Sequence, residues 1–247
     1  MLPTLRPQHA ILAVIGLVVA TAPAIVQATG LAQQLLGFRL EVQYLLVQHL
    51  RLVGSAAFFS IALGIPIGVW LSRKGMRRHA EVIMQVLNIG TTVPTLAKLA
   101  IAMLFFGIGT GSAVIGLTIA ILMPIARNTC AGLLAVNPYL LDAARGMGMR
   151  DSQILWRVEF PNALNVIVTG VRIAVTYATG TAALAFLIGG GGLGELIFTG
   201  IDINEPAMML AGAITTCLLA VLVDLLLYQI QYWVIPRGVN PYRPLRS

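Results

Sequence analysis

The stretch DAARGMGMRDSQILWRVEFP, residues 142–161, is the longest polar interval in a chain that otherwise consists mostly of apolar runs. Asn137 and Pro138 precede it, and this pair suits a helix start: Asn caps the free N–H groups, and the missing N–H of proline would have no partner at the first helical position. A short helix is predicted from Pro138 to about Gly146. Gly146 and Gly148 permit the positive φ that ends a helix, and Asp151 or Ser152 can cap a second one with Ile154, Leu155 and Val158 on one face. The segment therefore reads as a helix, a glycine turn and an amphipathic helix between two membrane spans.

Composition sets the surroundings of this element. Of 247 residues, 58% are hydrophobic and 10% charged, against about a quarter charged in a soluble domain. Apolar runs cover about 10–28, 44–71, 82–106, 112–134, 163–188 and 207–234, each near or above the roughly 20 residues that cross a bilayer as helix. An all-α membrane protein of six spans is predicted, with the 137–161 loop between spans four and five. Residues 1–43 form an N-terminal span and outer loop, and residues 44–247 form a domain of five spans.

The net charge of +7 does not point to nucleic acid, because the basic residues are dispersed over alternate loops. Arg6, Arg73, Lys74, Arg77, Arg78, Arg145, Arg150, Arg157, Arg237, Arg243 and Arg246 fall on one side, and Arg39 alone on the other. Eleven against one makes both termini and the 137–161 loop cytoplasmic in a multi-pass topology. Trp70 and Trp233 then sit at headgroup level. The first run ends in Val26-Gln27-Ala28, which resembles a signal-peptide cleavage site; Ala22-Pro23-Ala24 comes too early for a clean cleavage region, and a retained span is the reading adopted.

Within the third run, Pro94 removes a backbone donor and Thr91, Thr92 and Thr95 can rebind freed carbonyls, so a kinked or broken helix is predicted. Broken backbone at membrane depth is tolerated where protein or a water-filled cavity covers it, which makes Thr91, Thr92, Pro94 and Thr95 candidates for lining a path. The glycine-rich run 189–194 follows a helix and leads into Glu195, the reverse of a phosphate cradle, and reads as a tight, flexible outer turn. Among intramembrane charges, Arg172 and Asp224 lie at similar depth, roughly 14 Å from the cytoplasmic ends of their spans at 1.5 Å per residue, and form a candidate ion pair.

Nothing in the inventory supports an enzyme. The two lysines, Lys74 and Lys98, are not in a phosphate-binding loop; His9, His49 and His79 are isolated; no metal-ligand spacing occurs. Cys130 and Cys217 lie in apolar runs and carry no disulfide framework. Aromatic residues that could cage a cation are dispersed. No cofactor or metal is expected, and the energy for transport must come from a partner or an ion gradient.

Asp142, Ala143 and Ala144, then Gly148, then Val158, Phe160 and Pro161 resemble the EAA loop of ABC importer membrane subunits, E-A-A, x3, G, x9, I-x-L-P, with Asp for Glu, Val for Ile and Phe for Leu. The resemblance implies a methionine-permease-like (MetI-like) fold in a bacterial inner membrane and makes residues 137–161 a coupling element. It further implies a cytoplasmic ABC ATPase subunit, an extracytoplasmic substrate-binding protein received around Gly191, Gly192 and Glu195, and a second permease subunit, identical or homologous. The spans around Pro94 line the translocation path in that family. Pro124 to Thr129, Gly146 to Met149 and Gly190 to Gly194 narrow the likeness to permeases for glycine betaine, choline and related osmoprotectants. Methionine or other amino-acid importers are the nearest alternative. A self-sufficient secondary transporter or channel fits less well, since one break, no internal repeat and one intramembrane carboxylate are found.

Overall fold

A computed structural model describes residues 31–73 and 75–236, and among these there is no β-strand. The helices are α1 (Leu31–Gly37), α2 (Arg39–Leu71), α3 (Arg77–Thr92), α4 (Thr95–Phe106), α5 (Thr110–Leu134), α6 (Pro138–Gly146), α7 (Asp151–Ile154), α8 (Phe160–Thr181), α9 (Gly194–Asp202) and α10 (Pro206–Val234). A π-helical turn, Leu155–Glu159, joins α7 to α8, and a 3-10 segment, Ala182–Ile188, extends α8.

Among the described residues four helical stretches are long and apolar enough to cross a membrane: Arg39–Leu71, Thr110–Leu134, Asp151–Ile188 and Pro206–Val234. A fifth crossing arises if α3 and α4 are counted together. The first apolar run, 10–28, lies outside the described residues. The third run is not one kinked span: its halves, Val82–Thr92 and Thr95–Phe106, meet at 94°. Val93 and Pro94 are both extended there, with ψ of 125° and 140°, because the residue before a proline is pushed out of the helical region and the proline ring blocks the preceding turn.

The bundle is centred on α5, which packs against α2, α4 and α8. Its core is built from Leu52, Val53 and Ala56 of α2, Leu99 of α4, Leu117, Ile121 and Ile125 of α5, and Ala174 and Ala178 of α8. Small residues let these helices approach closely, as expected where lipid removes the hydrophobic drive between helices. A β-carbon at Gly116 would stand 3.0 Å from the Leu99 Cα. Polar side chains tie neighbours: Ser60 Oγ of α2 donates to the Thr118 carbonyl of α5 at 3.0 Å. Gln231 Nε2 of α10 donates to Thr169 Oγ1 of α8 at 2.8 Å. The remainder of α10 is largely exposed apolar surface, suited to lipid or a partner helix.

Candidate functional site

The segment 137–161 forms a short helix stopped by a Schellman turn. Asn137 Oδ1 accepts from the Tyr139 N–H at 3.0 Å and Pro138 opens α6. At the other end the Gly148 N–H donates to the Arg145 carbonyl at 2.9 Å and the Met149 N–H to the Ala144 carbonyl at 3.2 Å. Those two bonds require a left-handed residue between them, and Gly148 supplies it at φ 74°. Gly146 is helical, so one glycine, not two, makes the turn. Neither Asp151 nor Ser152 caps α7: the cap position is Arg150, whose N–H donates to Gln153 Oε1 at 2.8 Å.

The second half of the element is not a separate helix. α7 runs through the π turn into α8, where the Phe160 N–H reaches back five residues to the Leu155 carbonyl. A wider turn at this place accommodates Pro161, which has no N–H to continue the ladder. Asn162 Nδ2 donates to the Val158 carbonyl at 2.7 Å, one turn back.

The motif residues divide by burial. Ala144 is buried with Leu133, Leu141, Ile154, Ala163 and Ile167, and Val158 and Phe160 pack on the same cluster. Asp142, Ala143 and Gly148 are exposed, and Pro161 is half-buried. Asp142 pairs with Arg145 at 2.8 Å. Tyr139, Met147 and Trp156 are 82%, 74% and 63% exposed, large side chains left uncovered on an element whose inner face is already packed. Trp156 carries no sequence signal of its own, because the polar residues around it hide it.

At the bend, Thr91 Oγ1 donates to the Asn88 carbonyl at 2.6 Å and Thr92 Oγ1 to the Ile89 carbonyl at 2.8 Å. Thr95 is buried and its hydroxyl lies 2.8 Å from the Tyr177 hydroxyl of α8. Between α8 and α10, Arg172 grips Asp224 with two hydrogen bonds, Nε to Oδ1 at 2.8 Å and Nη2 to Oδ2 at 2.6 Å. Thr176 Oγ1 adds a third at 3.2 Å, and the guanidinium stands 4.9 Å from the Tyr228 ring centroid. Below this pair lies an apolar cavity of about 210 Å³ bordered by Ile65, Phe160, Ile167, Arg172, Leu227 and Ile230.

The glycine-rich segment is tight but not a free outer turn. Gly190, Gly192, Leu193 and Gly194 are buried, Gly191 is half-buried and Glu195 is exposed at the start of α9. The Gly192 N–H donates to Gln48 Oε1 at 3.1 Å and the Leu193 N–H to His49 Nδ1 at 3.3 Å. Because Nδ1 accepts, Nε2 carries the proton and donates to the Thr179 carbonyl at 2.8 Å. His49 is thus a fully buried neutral bracket joining α2, α8 and the glycine run. Among the described residues no group of three or more His, Cys, Asp or Glu could hold a metal ion.

Apolar helices around a broken span, with a packed helix and glycine turn at one end, define an integral membrane protein. Residues 64–238 match the family described as binding-protein-dependent transport system inner membrane component, and the chain belongs to that family. It is 47% identical over 189 residues to the osmoprotectant import permease protein OsmY of Salmonella typhimurium, covering 76% of this chain and 80% of that one. It is 35% identical over 200 residues to the glycine betaine/carnitine/choline transport system permease protein OpuCB of Bacillus subtilis, covering 81% and 91%. In fold it is similar to the inward-facing MetNI methionine ABC transporter, with a TM-score of 0.69 and 25% identity over 81% of this chain and 98% of that one.

Proposed function

We propose that this chain is the permease subunit of an ATP-driven, binding-protein-dependent ABC importer for glycine betaine, choline or a related osmoprotectant. The observation that carries the substrate class is the 47% identity to an osmoprotectant import permease over three quarters of the chain. The dispersed aromatics agree with it: selection by a cation cage belongs to a separate binding protein, and this subunit supplies a weakly binding path.

In this reading residues 44–247 are the permease domain, and the 137–161 element faces the cytoplasm, as do both termini. Its exposed face, with Asp142, Ala143, Gly148, Tyr139, Met147 and Trp156, enters the ATPase. Ala144, Val158, Phe160 and Pro161 carry the displacement into α5 and α8 through the apolar cluster beneath them. The bent segment Thr91, Thr92, Pro94 and Thr95 borders the path, and the Thr95–Tyr177 contact ties it to α8. Arg172 and Asp224 hold α8 to α10. On the outer side Glu195 and Gly191 meet the binding protein, with Gly192 shaping the loop from beneath. A second permease subunit, identical or homologous, completes the path.

The test is uptake into proteoliposomes containing the permease, its ATPase with internal ATP, and the binding protein outside. ATP-dependent uptake of labelled glycine betaine or choline is the expected result. Methionine uptake alone would favour the second reading, an amino-acid importer, whose support is the fold likeness to the methionine transporter. Uptake without ATP or binding protein would overturn the importer reading.

A further inference from the structure

The coupling element has one charged tie to the rest of the bundle that neither the motif nor the family description assigns. Arg73 Nη2 lies 2.6 Å from Glu159 Oε2, and the Glu159 side chain is only 13% exposed. Among the described residues this is the one ion pair that joins residues 137–161 to another part of the chain. Both partners are held in place. Arg73 Nε donates to the Val69 carbonyl at 3.2 Å, its Nη2 to Ser72 Oγ at 2.7 Å, and Ser72 Oγ donates in turn to the Val69 carbonyl at 2.7 Å. Arg73 is thereby fixed on the end of α2. Glu159 closes the π turn, immediately before Phe160 and Pro161.

The placement links the π turn to the connection between α2 and α3. Residue 73 lies in the short connection from α2 to α3, and α3 leads directly to the 94° break at Val93 and Pro94. The π turn is where a displacement of the coupling element must pass to enter α8. Apolar contacts between the element and α2, through Ile65 and Val69, can slide. A short ion pair with a nearly buried carboxylate resists separation, because parting the charges would leave the carboxylate uncompensated. We infer that Arg73 and Glu159 are a positioning pair that transmits ATPase-driven displacement of the coupling element to α2 and the bent α3–α4 segment. The inference rests on the importer reading above.

The test measures ATP hydrolysed per substrate imported in proteoliposomes containing the whole complex, for wild type, Glu159→Gln, Arg73→Gln, and the exchange Arg73→Glu with Glu159→Arg. The ATPase that co-purifies is measured alongside. For the single variants the expected result is normal assembly with uptake per ATP lowered at least about fivefold, the lower end of typical coupling energies. The exchange should recover part of that loss. Uptake and hydrolysis falling together at an unchanged ratio, or a wild-type ratio in both singles, would overturn the inference. Wild type failing to import with ATP would instead overturn the importer reading.

Discussion

The proposed coupling element at 137–161 and the glycine run at 189–194 both interrupt apolar helices with glycine, yet the structure uses glycine differently in each. At Gly148 a positive φ closes a local turn, and a β-carbon there would meet nothing within 4 Å. In the glycine run, positive φ at Gly191 and Gly192 turns successive N–H groups onto Gln48 and His49 of a distant helix. The first turn is exposed and free to meet another protein. The second is a buried joint, and its tolerance to change should be correspondingly low.

The ion pair lying between the two regions sets the scale for stability losses. Arg172→Leu leaves the half-buried Asp224 with only the Thr176 hydroxyl, and should destabilise the purified protein by about 3 kcal/mol, the lower end of the range for breaking a fully buried pair. Arg172→Leu with Asp224→Leu should cost less than the single change, read as a smaller drop in melting temperature. A double variant no better than the sum of the singles would show that the two charges act independently.

Next in size is the buried joint at the glycine run. His49→Leu removes the acceptor for the buried Leu193 N–H and the bond to Thr179, a loss of about 2–3 kcal/mol. Amide exchange at residues 189–193 should accelerate in the variant, with 145–149 unaffected. Equal protection in wild type and variant would contradict the bracket role of His49.

The same substitution at the two glycines sharpens the contrast. Gly192→Ala places a β-carbon 3.1 Å from His49 Nδ1 as well as straining a φ of 86°, for a total of about 2 kcal/mol. Gly148→Ala incurs the backbone strain alone, about 1 kcal/mol. Melting temperatures of the two variants should therefore rank with Gly192→Ala lower. The reverse order would mean that the turn at Gly148, not the glycine run, is the tighter joint.

What was legible in the sequence follows the range of the interactions. Asn137, Pro138 and Gly148 act on neighbours within a few residues, so the α6 start and its glycine stop could be read directly. The Pro94 break was legible for the same reason, whereas its 94° angle depends on how α3 and α4 pack on α5. His49 looked isolated because its partner Leu193 lies 144 positions away. The glycine run consequently read as a flexible outer turn when its backbone is held by α2. Likewise Arg73 counted only toward topology, and Glu159 was hidden inside a motif defined by its apolar neighbours. The π turn is a response to Pro161 that helical periodicity does not reveal.

The most direct test of the central claim, that 137–161 couples the permease to its ATPase, is uptake by Gly148→Asp measured beside its membrane level and its co-purification with the ATPase. A larger charged side chain at this exposed, left-handed position should block the partner's approach while leaving the packed bundle intact. The account expects normal membrane level, loss of ATP-dependent uptake and loss of ATPase co-purification. Uptake at the wild-type rate, with the ATPase still bound, would contradict it.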